Sequence, residues 1–113
     1  MEIHSMWSGP ASLYLLTALS HGPRHGLGIA EEVARFTDDT VILGPGTLYR
    51  VIRELSEDGW IRRVDSPEPD HPHRKYYELT PRGRDQLADA LRELEAVAAA
   101  ARRGLDRLAP GGA

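Results

Sequence analysis

Residues 44–61 read GPGTLYRVIRELSEDGWI. Pro45 suits the first position of a helix, where a missing N–H costs nothing. Gly44 then stands at the cap, although serine or aspartate would cap better. Leu48, Val51, Ile52 and Leu55 recur at helical spacing and form an inward stripe, with Thr47, Tyr49, Arg50, Arg53 and Glu54 largely off it. Gly59, after Asp58, reads as a helix stop. Trp60 and Ile61 begin something extended. The stretch therefore has a start, a stop and two faces, and no catalytic group stands out on it.

Upstream, Pro10 suits a first helical turn, with Ser8 or Gly9 as cap behind a loosely held segment 1–9. In ASLYLLTALS (11–20), Leu13, Leu16, Ala18 and Leu19 fit a mostly buried helix, which HGPRHG (21–26) breaks. GLGIAEEVARF (26–36) reads as a second helix: Ile29, Val33 and Phe36 inward, Leu27 sharing the apolar side, Glu31, Glu32 and Arg35 facing water. Thr40, Val41 and Ile42 are expected as a short edge strand.

Downstream, residues 60–64 and 74–79 read as two strands. DSPEPDHPH (65–73) between them is too polar for a core and too rich in proline for a helix. The result is a hairpin with an exposed tip. Trp60 is expected in the core at the helix–hairpin junction. Tyr76 and Tyr77 point to opposite faces of a strand, one of them into the core. Thr80 and Pro81 then cap and open a last helix, 81–108. Its residues Leu87, Leu91, Leu94, Ala98, Ala101, Leu105 and Leu108 are spaced alternately four and three apart, the seam of a coiled coil. At 1.5 Å per residue this helix spans roughly 42 Å, more than a small core readily covers. Pairing with a second copy is expected; a helix lying across its own domain is the alternative. Gly104 weakens it by about 1 kcal/mol relative to alanine, and PGGA (110–113) is a tail.

The chain has 113 residues and a net charge of −3 with histidines neutral. One domain of modest core is expected. There is no global basic signature, so nucleic-acid binding needs a local patch. The absence of cysteine excludes disulfides, thiol catalysis and cysteine-ligated zinc. No apolar run approaches the roughly 20 residues of a membrane span, and the start MEIHSMW lacks a signal peptide's basic flank and apolar core. A cytoplasmic protein is expected. An enzyme is not: GPGTLY lacks the lysine and preceding core strand of a phosphate loop, and no nucleophile has an identifiable base. No cofactor is expected. Asp70, His71 and His73 suggest no metal site, lacking convincing further ligands.

The order helix, helix, helix, hairpin, long helix predicts a mainly α fold with a small β-hairpin: a winged helix-turn-helix, residues 1–80, followed by a C-terminal dimerisation helix and tail, 81–113. In that arrangement the third helix enters a DNA major groove from its N-terminal end and the hairpin reaches a neighbouring phosphate or the minor groove. Pro45 and Gly46 bring the backbone near phosphate at a helix start. Thr47, Tyr49, Arg50, Arg53, Arg74 and Lys75 complete the expected DNA-contacting set. Arg50 is the first choice for a base or phosphate contact; Arg53 competes with pairing to Glu54, Glu57 or an acid of the wing.

LGPGTLYRVIRELSEDGWI (43–61), RKYYELTPRGR (74–84) and HGPRHGLGIAEEV (21–33), in this chain, resemble the recognition helix, second wing strand with dimerisation-helix start, and second helix of PadR-family transcriptional regulators. The resemblance covers roughly residues 10–95 and fits the small subfamily with a single long C-terminal helix. It implies a homodimeric winged-helix repressor that binds an inverted-repeat operator and is released by a small molecule. Three features depart from patterns seen in the family. Gly44 replaces a frequent serine, Leu27 replaces an aromatic after the histidine–glycine pair, and the terminal helix has no aromatic on which a flat drug could stack. Trp7, Tyr14 and Trp60 are the remaining aromatic candidates for an effector site.

Residues 44–84 hold eight basic and seven acidic side chains. Asp65, Glu68 and Asp70 on the wing should repel phosphate if they face DNA. This near-neutral balance keeps a second possibility open: a dimeric winged-helix module that binds another protein without intrinsic operator binding.

Overall fold

The computed structural model describes residues 10–108. The caps expected at Ser8 or Gly9, the Trp7 candidate and the 110–113 tail lie outside the described residues. Four helices and three short strands follow in the order α1 (Pro10–Leu19), β1 (Arg24–His25), α2 (Gly26–Phe36), α3 (Pro45–Glu57), β2 (Ile61–Val64), β3 (Tyr76–Leu79) and α4 (Pro81–Arg107). This is a winged helix-turn-helix with a long C-terminal helix.

α3 begins and ends on the expected residues. Gly44 is its N-cap and makes no side-chain cap bond; Pro45 occupies the first turn. At the other end Gly59 takes φ +77°. The Trp60 N–H donates to the Leu55 carbonyl at 3.0 Å and the Gly59 N–H to that of Ser56 at 3.1 Å, the paired bonds of a Schellman stop. The stop turns the chain into β2, with Trp60 and Ile61 buried beside Leu55 in the core.

The core joins Leu15, Leu16 and Leu19 of α1, Ile29 and Val33 of α2, and Leu48, Val51, Ile52 and Leu55 of α3, closed by Tyr77 and Leu87. β2 and β3 pair antiparallel with Arg63 opposite Tyr77 and Val64 opposite Tyr76. Arg74 and Lys75 precede β3 and belong to the loop, not to the strand.

Three expectations are corrected. Thr40–Ile42 is not a strand: Val41 and Leu43 pack on the core from an irregular segment and Ile42 is exposed. The third strand is instead β1, from the segment read only as a helix break; Arg24 pairs with Tyr77 and His25 with Tyr76. Glu32 does not face water. It is 6 % exposed, hydrogen-bonded by Arg35 Nε at 3.0 Å and 3.5 Å from Arg24. Arg35, one turn on, and Arg24, brought by β1, together supply the countercharge that lets a carboxylate be buried there. Leu27, expected on the apolar side, is 60 % exposed.

α4 is seated on the domain by its first turns. Thr80 accepts from the Gly83 N–H at 3.0 Å and donates to the Gly59 carbonyl at 2.6 Å. Gly83, Leu87 and Ala90 are buried. Beyond them the helix leaves the body. The radius of gyration is 16.8 Å, against about 13 Å for a compact domain of this length.

Candidate nucleic-acid interface

At the start of α3 the Leu48 N–H is the first to reach an intrahelical carbonyl, that of Gly44 at 2.9 Å. Pro45 has no N–H, so Gly46 and Thr47 carry the donors a helix start leaves over. Gly44, Pro45, Gly46 and Thr47 are all exposed, and a Cβ at Gly46 would meet nothing within 4 Å. Backbone donors and the positive end of the helix dipole are thus open to an anion.

Tyr49 takes a different direction. A Cβ at Gly26 would lie 2.6 Å from the Tyr49 hydroxyl oxygen, so glycine at the first position of α2 lets the ring lie here without shifting. His25, Gly26 and Leu27 from α2 and its cap, Tyr49 from α3, and Arg74, Lys75 and Tyr77 from the wing base line one cleft of about 340 Å³. Of the eight expected DNA-contacting residues, Tyr49, Arg74 and Lys75 meet here. Pro45, Gly46 and Thr47 lie at the helix start one turn earlier, and Arg50 and Arg53 are exposed farther along α3. The α2 start was not among the expected contacts. Its signal was the histidine–glycine pair, which reads as a turn until the partner of Gly26 is known.

The cations differ in their freedom. Arg50 is engaged by Glu54 at 3.1 Å across one helical turn. Arg74 is engaged by Glu68 at 2.9 Å, and Arg62 by Glu78 at 2.7 Å. Arg53, Arg63 and Lys75 are exposed and make no ion pair among the described residues. Glu54 thus pairs with Arg50, leaving Arg53 open. Exposed pairs of this kind contribute only about 0.3–0.5 kcal/mol, so a phosphate can displace Glu54 from Arg50.

Glu68 is also occupied. Tyr76 donates its hydroxyl to it and Arg74 Nη1 approaches both oxygens, at 2.9 and 3.1 Å. The Tyr76 bond, then those of Arg74, hold its carboxyl below the ordinary 4.5; reciprocally the same bond raises the Tyr76 phenol. Burial raises that of Tyr77.

Of the aromatic effector candidates, Trp60 is buried in the core and Tyr14 is half-buried against it; neither lines the cleft. On α4, Leu87 is covered by its own chain, whereas Leu91, Leu105 and Leu108 are 46, 66 and 78 % exposed. Leu94 and Ala98 are half-exposed and Ala101 exposed. Val97, 60 % exposed, widens this face beside the expected seam. Among the described residues no three His, Cys, Asp or Glu converge as a metal site, and no helix is long and apolar enough to cross a membrane.

Comparison with curated proteins returns no significant match. Solved structures do match. A transcriptional regulator from Clostridium thermocellum superposes with TM-score 0.71 at 21% identity, over 91% of this chain and 97% of that one. A PadR-like regulator from Bacillus cereus gives 0.74 at 20% identity, over 89% and 96%. Bacillus subtilis PadR, solved with operator DNA, gives 0.64 at 20% identity over 74% of this chain and 47% of that one. At these identities the likeness concerns the fold. The family model described as the transcriptional regulator PadR-like family matches residues 15–89, about two thirds of the sequence and all of α2, α3 and the wing. The chain therefore belongs to the PadR-like family of transcriptional regulators.

Proposed function

We propose that the protein is a sequence-specific repressor that grips DNA as a homodimer, with residues 1–80 as the DNA-binding unit and 81–113 as the dimerising one. The carrying observation is the single cleft where Tyr49 of α3, the start of α2 and the wing cations Arg74 and Lys75 meet. The α3 start, Pro45 to Thr47, inserts toward the major groove, Arg50 and Arg53 reach base edges or phosphate, and Lys75 takes a flanking phosphate. That Bacillus subtilis PadR was solved in complex with operator DNA supports the DNA-binding part of this reading.

The second copy covers the part of α4 that its own domain leaves bare, from Leu91 to Leu108. Two recognition helices on successive major grooves then stand roughly 34 Å apart and read an inverted repeat. A small molecule that binds at the dimer cleft and alters this spacing releases the operator, with Tyr14 as an aromatic contact. Such a regulator works in the cytoplasm.

The test is a salt series on DNA from upstream of the protein's own gene, against a shuffled duplex of equal length. Tighter binding to the native segment, two chains per site and weakening with salt are expected. No binding to either duplex at low salt would overturn the reading in favour of a protein-binding winged helix.

A further inference from the structure

Residues 65–75 join β2 to β3, and Pro67, Pro69 and Pro72 keep them out of regular structure. The loop's own bonds are local: Ser66 Oγ accepts from the Glu68 N–H at 3.1 Å, the His71 N–H reaches the Glu68 carbonyl at 3.0 Å, and the Arg74 N–H reaches that of His71 at 3.2 Å. These bonds shape the loop without attaching it to the sheet.

The Glu68 side chain makes that attachment. One partner, Tyr76, lies within β3, is 8 % exposed, and sets its ring 5.3 Å from that of His25, the cap of α2. The other, Arg74, immediately precedes Lys75, the exposed wing cation that makes no ion pair among the described residues. We propose that Glu68 is a positioning residue: clamped by Tyr76 and Arg74, it holds the wing in the shape that presents Lys75 to DNA.

This inference rests on the DNA-binding reading above and assigns an acidic residue a supporting part in it. Charge alone predicts the opposite, since an acid on a DNA-facing loop repels phosphate. Asp65 and Asp70 supply the comparison. Both are exposed on the same loop and make no hydrogen bond or ion pair among the described residues. Alanine at any of the three positions removes one negative charge, but only at Glu68 does it release the loop.

Wild type and the variants Glu68→Ala, Asp65→Ala and Asp70→Ala would be titrated with a mixed-sequence duplex at low salt, because phosphate contacts are independent of sequence. Asp65→Ala and Asp70→Ala should tighten binding about twofold, as expected for an exposed charge. Glu68→Ala should weaken it about fivefold, because the wing must be ordered anew on binding. Glu68→Gln, which keeps an acceptor for Tyr76, should fall between wild type and Glu68→Ala. Tightening by Glu68→Ala equal to that of Asp70→Ala overturns the proposal. Amide hydrogen exchange on the free protein provides a check independent of DNA. Faster exchange at Glu68, His71 and Arg74 in Glu68→Ala supports the clamp, and unchanged exchange overturns it. Failure of wild type to bind any duplex sinks the regulator reading separately, and the exchange result still decides the clamp.

Discussion

Gly83→Ala separates two opposite expectations. By propensity alone, replacing glycine with alanine in a helix should stabilise it by about 1 kcal/mol. The packing at Gly83 argues the other way. A Cβ there would stand 1.9 Å from the Trp60 carbonyl oxygen, where an ordinary C···O contact is about 3.3–3.6 Å. The obstacle is backbone, and its oxygen also accepts from the Thr80 N–H at 3.1 Å. It cannot swing away like a side chain. The first turn of α4 must move off the hairpin by more than an ångström, straining the Thr80 bonds to Gly59 and Gly83. Overpacking of this kind costs about 1–3 kcal/mol and a disturbed N-cap about 1 kcal/mol. After the propensity gain, a net loss of about 2 kcal/mol remains, or about 8 °C in melting temperature for a domain of this size. Urea and thermal melts at one fixed protein concentration read it, since the stability of a dimer depends on concentration. A variant as stable as wild type, or more so, would refute the close-approach argument. The same seat fixes the angle at which α4 leaves the domain. Gly83→Ala should therefore also weaken operator binding beyond its effect on folding, through the spacing of the two recognition helices.

Three further outcomes are expected. Glu54→Gln frees Arg50 from its pair at 3.1 Å and should tighten DNA binding about twofold to threefold; if Arg50→Ala/Glu54→Gln binds as tightly as Glu54→Gln, Arg50 is not a contact. Leu91 is 46 % exposed, so its burial in a dimer contributes about 1 kcal/mol per copy, and Leu91→Asp should raise the dimer dissociation constant about thirtyfold. Sedimentation equilibrium reads that constant, and an unchanged value would remove Leu91 from the seam. Glu32 is held below its ordinary 4.5, first by the hydrogen bond from Arg35 and then by the charges of Arg24 and Arg35, with burial opposing. A depressed carboxylate contributes stability that is present above its unfolded value and is lost as pH falls through the lower folded one. Stability should therefore decline in acid below about pH 4.5, and Glu32→Gln should flatten that decline; Glu68, depressed as well, accounts for part of what remains. An acid limb identical in wild type and Glu32→Gln would show that Glu32 titrates alike in both states.

Most of the architecture was legible because its signals are local. Pro45 and Gly59 bracket α3, Thr80 and Pro81 open α4, and three- and four-residue spacings mark the apolar stripes of α2, α3 and α4. Each follows from backbone geometry or helical period within a few residues. The family motifs are legible for the same reason, since they lie on those local elements.

Tertiary structure decided what depends on partners distant in sequence. β1 has two residues and exists only because Tyr76 and Tyr77 pair with it. Its pairing adds Arg24 to the local Arg35 as a second countercharge beside Glu32, a carboxylate that helical period assigned to water and that is buried. Gly26 and Gly83 read as ordinary glycines until Tyr49 and the Trp60 carbonyl arrive beside them. Sequence counted charges on the wing and helix, eight against seven. Folding determined which of them neutralise one another, leaving Arg53, Arg63, Lys75, Arg82 and Arg84 without carboxylate ion pairs among the described residues. A charge count is a property of composition. A binding surface depends on which charges remain unpaired, and pairing is a matter of distance that only the folded chain sets.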